Sequence, residues 1–539
     1  MGSVETPPSE RLFPSTKPPQ RAVALSLLDA TAAEFAPTSA VWLCERPKNV
    51  QFDLAGHFRR SLPLVLDAYP QWTGLLKSIA TLDSSQLKSE EAEFAPHARR
   101  FGRLYAHYGT SEDAGVEFVT AKSSATLEAL APSSRTTDQP LLDCKNVILD
   151  GLASSTLLAC PLRPSEADQD GVLPPVMAIQ LTELACGNFA LSAKIAHALA
   201  DIQSLVLFMK DWSTISRWLI SDSKLPKPVL NPVFEPGLLD SKASGDINGD
   251  QPDQTIIDQV AGLPLHRYDW WAAQPQCPWP REIPAAFRGQ ELVPAGTAMP
   301  WSDWDVEAPV SHYLVHLTRD QVEIIWKKAT ENNLENTRIS RHDAILAHIW
   351  SCIARARNQQ NDTGPLHCDL VCGTRPALHL GNTFLGSSVL MINLEMAGAD
   401  LVSPSQDHRL RNIARRIRET INKINNPTAL GVHLHSIAFE KTPQRLWQAF
   451  LGQRHLLVTT WARAGLYDVD FGLSEVPIIR YADAMLPDLD GELVIKEAPP
   501  SKKSSSTGES NWTENGVDIS IRIQTEDMER LIRDPLLLP

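Results

Sequence analysis

Apolar and polar residues recur with two different periods along this chain, which predicts a mixed α/β protein. A four-residue spacing of apolar side chains predicts a helix within residues 52–72 that stops near Pro70. A strict alternation near the C-terminus predicts a strand at VDISIRIQ, and a short helix is expected from Thr525. The apolar positions that define these two elements are Leu54, Phe58, Leu62 and Leu66, and then Val517, Ile519, Ile521 and Ile523.

Residues 176–212 carry the most informative pattern. They predict a strand, a turn at Gly187-Asn188, a second strand and then a helix with an apolar stripe. The second strand places alternate apolar residues from Phe189 to Ile195 on one face. His197 keeps the same parity just beyond that strand, so its side chain is predicted to point inward.

The distribution of proline, tryptophan and regular patterning predicts four regions. These are a flexible leader or arm at 1–20, an N-terminal domain at 21–225, a crossover at 226–308 and a C-terminal domain at 309–539. The crossover contains a stretch predicted to be flexible at 242–251, together with His266 and five tryptophans, at positions Trp270, Trp271, Trp279, Trp301 and Trp304. Two interpretations stay open: the crossover walls an acceptor pocket, or it seals the interface between the domains.

Composition narrows the function classes. The formal net charge is -14, from 64 acidic and 50 basic residues, which argues against nucleic acid or an anionic membrane as a partner. No apolar run reaches the roughly 18 residues of a membrane span, and the polar N-terminus does not resemble a signal peptide, so a cytoplasmic protein is expected.

The eight cysteines contain no CxxC pair and are predicted to be reduced. The Cys368/Cys372 spacing does not fit a zinc knuckle, so no metal site is predicted. A loop is expected at 501–511.

Two HxxxD patterns occur, and their contexts differ. At His316–Asp320 the following Thr318 and Gln321 form a capping box, so that copy has a structural explanation. His197 and Asp201 lie between an apolar strand and an apolar helix, and Asp201 is predicted one turn into the helix without a capping role. The local sequence leaves two interpretations of His197 open, a catalytic base and a core histidine. GxGxxG, GxxxxGK[ST], GxSxG and HExxH are absent, which argues against several nucleotide-binding and hydrolytic classes.

Several further segments occur in a fixed order through nearly the whole length of the chain: ALSLLDATAAEFAPTSAVW (24–42), LDAYPQWTGLL (66–76), HALAD (197–201) preceded by Cys186-Gly187, ISRHDAILAHIWSCIARAR (339–357), GTRPAL…FLGSSV (373–389), TTWAR (459–463) and DFG (470–472). In these motifs and their order the chain resembles the BAHD acyltransferases, especially their fungal, trichothecene 3-O-acetyltransferase-like branch. The departures are Ile202 after HxxxD, Ala377 for the second Arg of RxRL, Ser387 for the loop Asn of YxGN, and Leu473 and Ser474 in DFGWG.

The resemblance implies a fold of two similar chloramphenicol-acetyltransferase-like α/β domains with an active-site channel between them. It also implies site residues. His197 is expected to be the general base, and Asp201 is expected to turn away from it and pair with Arg375. Asp470 and Gly472 are expected to support the site structurally. Weaker candidates for the substrate and CoA channel are Ser340, which also begins a capping box, Gly386 and Ser387 beside the pantetheine arm, and Thr459, Thr460 and Trp461, the last of which has a core-aromatic alternative.

The implied reaction is acyl transfer from an acyl-CoA co-substrate, most often acetyl-CoA, to a hydroxyl group of a secondary metabolite. No permanently bound cofactor is expected, and the protein is expected to be a monomer that binds only its small-molecule acceptor and acyl-CoA. Two alternatives keep the fold. One is a condensation-type acyltransferase that takes its acyl group from a carrier protein, although those usually show HHxxxDG, where this chain has Ala196 and Ile202. The other is a non-catalytic binding protein.

Overall fold

A computed structural model describes most of the chain. The described residues are 4–5, 9–47, 51–133, 139–144, 152, 173–221, 225–269, 271, 283–292, 296, 300–331, 338–402, 406–447, 449–500 and 511–539. Trp270, Trp279 and nearly all of the loop expected at 501–511 lie outside the described residues.

Strands and helices alternate along the described chain. The strands are β1 (Val4–Glu5), β2 (Glu10–Leu12), β3 (Arg21–Ala24), β4 (Thr38–Cys44), β5 (Leu75–Ser78), β6 (Leu104–Tyr108), β7 (Val116–Ser123), β8 (Leu141–Asp143), β9 (Met177–Leu184), β10 (Phe189–Ile195), β11 (Tyr268–Asp269), β12 (Val310–Leu317), β13 (Pro365–Gly373), β14 (Val389–Ala397), β15 (Leu446–Trp447), β16 (His455–Thr460), β17 (Ile479–Ala484), β18 (Glu492–Glu497) and β19 (Val517–Gln524).

The helices are α1 (Leu27–Thr31), α2 (Leu54–Leu66), α3 (Leu127–Leu130), α4 (Ile202–Ile220), α5 (Gly237–Asp240), α6 (Gln254–Val260), α7 (Arg319–Thr330), α8 (Arg341–Ala356), α9 (Gly398–Val402), α10 (Gln406–Ile424), α11 (Pro427–Phe439) and α12 (Thr525–Leu531). The patterned predictions are confirmed, because α2, β9, β10, α4, β19 and α12 lie where the apolar spacing placed them.

Two seven-stranded sheets organise the fold. The first has the order β1-β7-β9-β10-β4-β17, with β2 also pairing with β7, and the second has the order β14-β13-β16-β18-β19-β12-β8. Helices α2 and α4 cover the first sheet and share its apolar core. Helices α7, α8 and α10 cover the second sheet, whose core contains alternate apolar residues from β13, β16 and β19.

The two sheets exchange edge strands. β17 comes from the C-terminal part of the chain but pairs antiparallel with β4 of the first sheet. Conversely, β8 comes from the N-terminal part and pairs with β12 of the second sheet. The domain boundaries predicted from the sequence do not include this exchange. The hydrophobic pattern of a short edge strand is too brief to indicate which sheet the strand joins.

Two segments predicted to be flexible differ from that expectation. Within the leader, β2 pairs antiparallel with β7, and the Ser15 amide donates to the Pro63 carbonyl over 3.0 Å. Within 242–251, the Ser244 amide donates to the Gly431 carbonyl over 2.9 Å, and Arg100 donates to two carbonyls of the stretch. Long-range hydrogen bonds therefore hold the described parts of both segments, and local composition does not report such bonds.

Among the described residues, none of the helices combines the length and the apolar character that crossing a bilayer requires.

Candidate active site

His197 lies at the junction between β10 and α4. The strand ends at Ile195, a single 3₁₀ turn spans His197–Leu199, and α4 begins at Ile202. The imidazole is only partly buried, and the ring of Phe35 meets it edge to face with the ring centroids 5.4 Å apart. The end of β10 therefore anchors the backbone of His197, and the residue is not fully buried.

The two ring nitrogens of His197 have different surroundings. Nδ1 lies 2.9 Å from the hydroxyl oxygen of Ser387. Among the described residues Nε2 has no hydrogen-bond partner. Burial lowers the pKa of His197 below its usual value, and the charge of Asp201 only partly opposes this effect. The lowered pKa favours the neutral imidazole, and Nε2 is available for a further hydrogen bond.

Ser387 is itself held in place by Asp29. Ser387 is fully buried in the loop between β13 and β14, and its backbone amide donates to Asp29 Oδ1 over 2.5 Å. Asp29 also accepts hydrogen bonds from the backbone amide and the hydroxyl of Ser26, the residue that caps α1. Burial raises the pKa of Asp29 to about 7. A continuous set of contacts thus runs from Asp29 through Ser387 to His197.

Asp201 pairs with Arg375 and turns away from the imidazole. Two guanidinium nitrogens donate to its two carboxylate oxygens over 2.5 and 3.0 Å, and both side chains are buried. Asp201 Oδ1 also accepts from the Ser204 amide over 3.0 Å, which makes Asp201 the N-cap residue of α4. The prediction that Asp201 has no capping role was therefore wrong, because the 3₁₀ turn delays the start of the helix.

Arg375 ties the β13–β14 loop to the start of α4. It donates to the carbonyls of Phe384 and Gly386 over 2.9 and 3.0 Å. Gly386 has φ 131°, and a Cβ atom there would lie 2.8 Å from Asp29 Oδ1. Only glycine fits this approach without strain. Gly386 and Ser387 are both buried, and Ser387 contacts His197. Their expected place beside the pantetheine arm stays a prediction.

The remaining channel candidates do not contact His197. The Thr460 hydroxyl lies 2.7 Å from His342 Nε2, at the start of α8. Ser340 forms the predicted capping box with Asp343 and also accepts a hydrogen bond from Arg418 over 3.0 Å. Trp461 is 5% exposed and belongs to the apolar core of the first sheet, which favours its core-aromatic interpretation.

Thr459 lies on β16 with its side chain partly exposed, on the strand face opposite the core residue Val458. No hydrogen bond of its side chain is found among the described residues. Its prediction as a channel residue stays a prediction.

The DFG segment lies at the far end of α4. The Ser216 hydroxyl donates to the Phe471 carbonyl over 2.8 Å, and Ser216 follows Asp201 by 15 positions, or roughly 22 Å along a helix. The Gly472 amide donates to Asp470 Oδ1 over 2.9 Å in a turn where Gly472 has φ 73°. Asp470 and Gly472 thus fix a loop that packs on α4, and they do not contact the imidazole.

The second HxxxD copy is structural, as its context predicted. Thr318 and Gln321 form the capping box of α7, and Asp320 lies in its first turn. The imidazole of His316 is buried and lies 2.8 Å from Asp518 Oδ1.

Sequence reasoning did not assign roles to Asp29 or to the hydroxyl of Ser387. Asp29 lies in the segment 24–42 that contributes to the family resemblance, but nothing in a linear pattern indicates that a residue 358 positions away donates to it.

Comparison with known proteins places this arrangement among acyl-transferring enzymes. Acyltransferase AFT15-1 of Alternaria alternata is 27% identical over 504 residues, which are 93% of this chain and 90% of that protein. Acyltransferase abl6 of Leptosphaeria maculans is 21% identical over 99% of this chain and 98% of its own length. The crystal structure of F. graminearum TRI101 complexed with ethyl coenzyme A shares the fold with a TM-score of 0.65 at 13% identity, covering 96% of this chain and 98% of that one.

Vinorine synthase also shares the fold, with a TM-score of 0.58 at 14% identity over 98% of this chain and 96% of that one. A family model described as the Transferase family matches residues 110–260 and 286–531. The chain therefore belongs to this family, the BAHD acyltransferases, and is an acyltransferase with the two-domain chloramphenicol-acetyltransferase-like fold.

Proposed function

We propose that this enzyme transfers an acyl group from an acyl-CoA thioester, acetyl-CoA in the first instance, to a hydroxyl group of a small secondary metabolite. His197 is the general base. The observation that carries the proposal is the asymmetry of its imidazole: Nδ1 is held by the buried hydroxyl of Ser387, and Nε2 has no hydrogen-bond partner among the described residues. TRI101, which shares the fold, has been crystallised with coenzyme A and T-2 mycotoxin, which supports a CoA thiol and a small-molecule acceptor.

Ser387 sets the tautomer of His197 in this proposal. A general base must present an unprotonated nitrogen to the acceptor, so the ring proton has to reside on the other nitrogen. When Nδ1–H donates to Ser387 Oγ, the lone pair remains on Nε2. The Ser387 amide bonded to Asp29 fixes the loop, and therefore the hydroxyl, at this position. Ser387 and Asp29 are thus positioning residues, whereas His197 acts on the substrate.

The reaction balances without a metal or a covalent enzyme intermediate. His197 Nε2 takes the proton of the acceptor hydroxyl as its oxygen attacks the thioester carbonyl carbon. The C–S bond then breaks, and the imidazolium returns the proton to the departing thiolate of CoA. General-base catalysis of this kind contributes roughly 10²–10⁴-fold to the rate.

Asp201 and Arg375 support the site without entering the chemistry. Their buried ion pair joins the start of α4 to the loop that carries Ser387. The DFG loop packs on the other end of α4 and supports the site only through that helix. In the proposed arrangement Thr459 borders the channel, while Ser340, Thr460 and Trp461 hold its walls.

A thiol-release assay tests the function. The purified enzyme is incubated with acetyl-CoA and a thiol reagent, with and without candidate alcohols. Acceptor-dependent release of CoA, absent in His197→Ala, supports the proposal. Release of CoA that is equally fast without any acceptor would identify a thioesterase and contradict it.

The same assay separates the alternatives. A condensation-type enzyme would accept an acyl group on a carrier-protein phosphopantetheine arm and leave acetyl-CoA untouched. A non-catalytic protein would bind acetyl-CoA or the acceptor without releasing thiol. The expectations of a monomer in the cytoplasm stay predictions, as does the choice between the two interpretations of the tryptophan-rich crossover.

A further inference from the structure

Three histidines that are distant in sequence converge between the crossover and the second sheet. His367 on β13 and His455 on β16 are direct neighbours in a parallel ladder, and their ring centroids are 4.7 Å apart. His266 reaches them from the crossover, with its ring centroid 4.7 Å from that of His367. One ring nitrogen of each histidine lies within 4.8 Å of one ring nitrogen of both others. This group, His266, His367 and His455, is called the histidine cluster below.

Polar neighbours hold the outer nitrogens of two of these rings. His266 Nδ1 lies 3.2 Å from Oδ1 of the fully buried Asp369, and His367 Nδ1 lies 3.3 Å from Asn393 Oδ1. Asn393 in turn donates to Asp369 Oδ1 over 2.9 Å. A carboxylate or amide that holds Nδ1 leaves Nε2 free to bind another group, and metal-binding histidines are commonly held in this way.

The third ring is buried and incompletely satisfied. His455 is 4% exposed, and its Nδ1 has no hydrogen-bond partner among the described residues. A buried nitrogen without a hydrogen-bond partner destabilises the folded state. Coordination to a metal ion would give this nitrogen a partner.

Charged side chains near the histidine cluster are paired. Arg357 pairs with Asp490 over 2.7 Å, and Arg454 pairs with Asp362 over 2.6 Å, so the charges of these two nearby cations are compensated. A neutral imidazole binds a metal ion through the lone pair of its unprotonated nitrogen.

We propose that the histidine cluster binds one divalent transition-metal ion, and that Zn²⁺ is the ion it suits best. Three imidazole ligands with a fourth position for water match a tetrahedral zinc site, whose Zn–N bonds are about 2.0–2.1 Å. The rings of His367 and His455 lie 8° from parallel, so one ring must rotate about its Cβ–Cγ bond for both lone pairs to meet at one ion.

The site holds the crossover on the second sheet. The Asn393 amide already donates to the Pro264 carbonyl over 2.7 Å, and Tyr268 of β11 pairs with β15. A metal bound by His266 adds a strong link between this segment and β13 and β16. On β16, His455 precedes the channel candidate Thr459 by four positions, or roughly 13 Å along the strand.

The test is a metal titration that uses no acyl donor. The enzyme without an affinity tag is dialysed against a chelator and titrated with Zn²⁺ by calorimetry, and Co²⁺ replaces zinc for visible spectroscopy. We expect one Zn²⁺ per chain and the visible absorption of four-coordinate Co²⁺. His266→Gln and His367→Gln should each weaken binding by more than about 100-fold. Asn393→Ala, which removes only an outer partner, should weaken binding by about 10–100-fold.

The matched control is His379→Asn. His379 is exposed, lies outside the cluster, and has φ 56°, a left-handed conformation that asparagine tolerates. This variant should bind zinc as the parent does. Absence of saturable Zn²⁺ binding by the folded parent overturns the proposal, as does unchanged affinity in His266→Gln. His266 is only partly buried, so His266→Gln is expected to fold. Its zinc affinity can therefore be measured on folded protein.

Discussion

Asp201 and Arg375 are 174 positions apart, yet they form a buried two-point ion pair beside the candidate active site. Asp201 caps α4, and Arg375 holds the carbonyl of Gly386, which precedes the Ser387 that contacts His197. The ion pair therefore joins the element that carries the imidazole to the loop that orients it, without contacting the imidazole.

Breaking this ion pair should destabilise the fold before it affects the chemistry. Asp201→Ala leaves the Arg375 charge buried without its partner, which costs about 3–5 kcal/mol, and Arg375→Ala should cost a similar amount. Urea unfolding of both single variants and the double variant measures their coupling. The double variant should be less destabilised than the sum of the singles. A normally stable Asp201→Ala enzyme with a large loss of kcat would instead indicate a catalytic dyad.

Replacing the imidazole of His197 should lower the rate and leave the stability nearly unchanged, the reverse of the effect expected for Asp201→Ala. His197→Ala is expected to lower kcat by roughly 10²–10⁴-fold with little change in Tm, because the side chain is only partly buried and acts on the substrate. The control is His316→Ala in the other HxxxD copy. It removes a buried contact with Asp518 and should lower Tm while the folded fraction keeps its turnover. Near-native turnover by His197→Ala would contradict its role as the base.

The hydroxyl of Ser387 should matter for rate more than for stability. Ser387→Ala removes the partner of His197 Nδ1 and is expected to lower kcat by about 10–100-fold with a smaller change in acyl-CoA KM. Ser387→Asn, which restores a polar partner and the residue of the resembled YxGN motif, should recover part of the rate.

The neighbouring Ser388 provides the matched control for this prediction. It is equally buried, but its hydroxyl contacts Thr374 over 2.6 Å and not the imidazole. Ser388→Ala should therefore keep the kcat and the pH profile of the parent. An equal loss of rate in both variants would show that Ser387 acts only through packing.

The pH dependence of kcat/KM should report the lowered pKa of His197. Burial favours the neutral imidazole, so the base stays competent below the usual histidine pKa of about 6.5, and the acid limb should fall below that value. The measurement is a pH–rate profile of the parent and of Asp29→Asn. If the limb lay near 7 and disappeared in Asp29→Asn, the titration of Asp29 would control the rate.

Asp29 should also make stability depend on pH. Its pKa is raised to about 7 in the folded protein, whereas an unfolded aspartate titrates near 3.8, so the folded state binds the extra proton between these values. This stabilising contribution is fully present below about pH 4 and is lost as the pH rises through about 7. The loss is on the order of 4 kcal/mol. Relative to Asp29→Asn, the parent should lose unfolding free energy from pH 5 to pH 8. A constant difference would refute the raised pKa.

The sequence located the parts of the site that belong to one continuous pattern. His197 follows a strand whose parity and apolar face are visible in the chain, so its inward position could be predicted. The pairing of Asp201 with Arg375 could be expected only from the resemblance to a family. The N-cap position of Asp201 escaped prediction, because a single 3₁₀ turn shifts the helix start by a few residues without changing the apolar period.

The support of the imidazole could not be predicted from the sequence for a different reason. Asp29, Ser387 and His197 lie on three segments that are far apart in the sequence. Ser387 links the other two, and Gly386, which precedes it, has a positive φ. The histidine cluster likewise unites three segments with no common motif. Contacts between loops depend on tertiary geometry, and short polar segments carry no periodicity that reports it.

The exchange of β8 and β17 makes the two lobes inseparable. A chain cut within the crossover would produce two fragments, each holding a strand that completes the other's sheet and each exposing an unpaired strand edge. Neither fragment is therefore an autonomous building block, and both would have to fold in each other's presence.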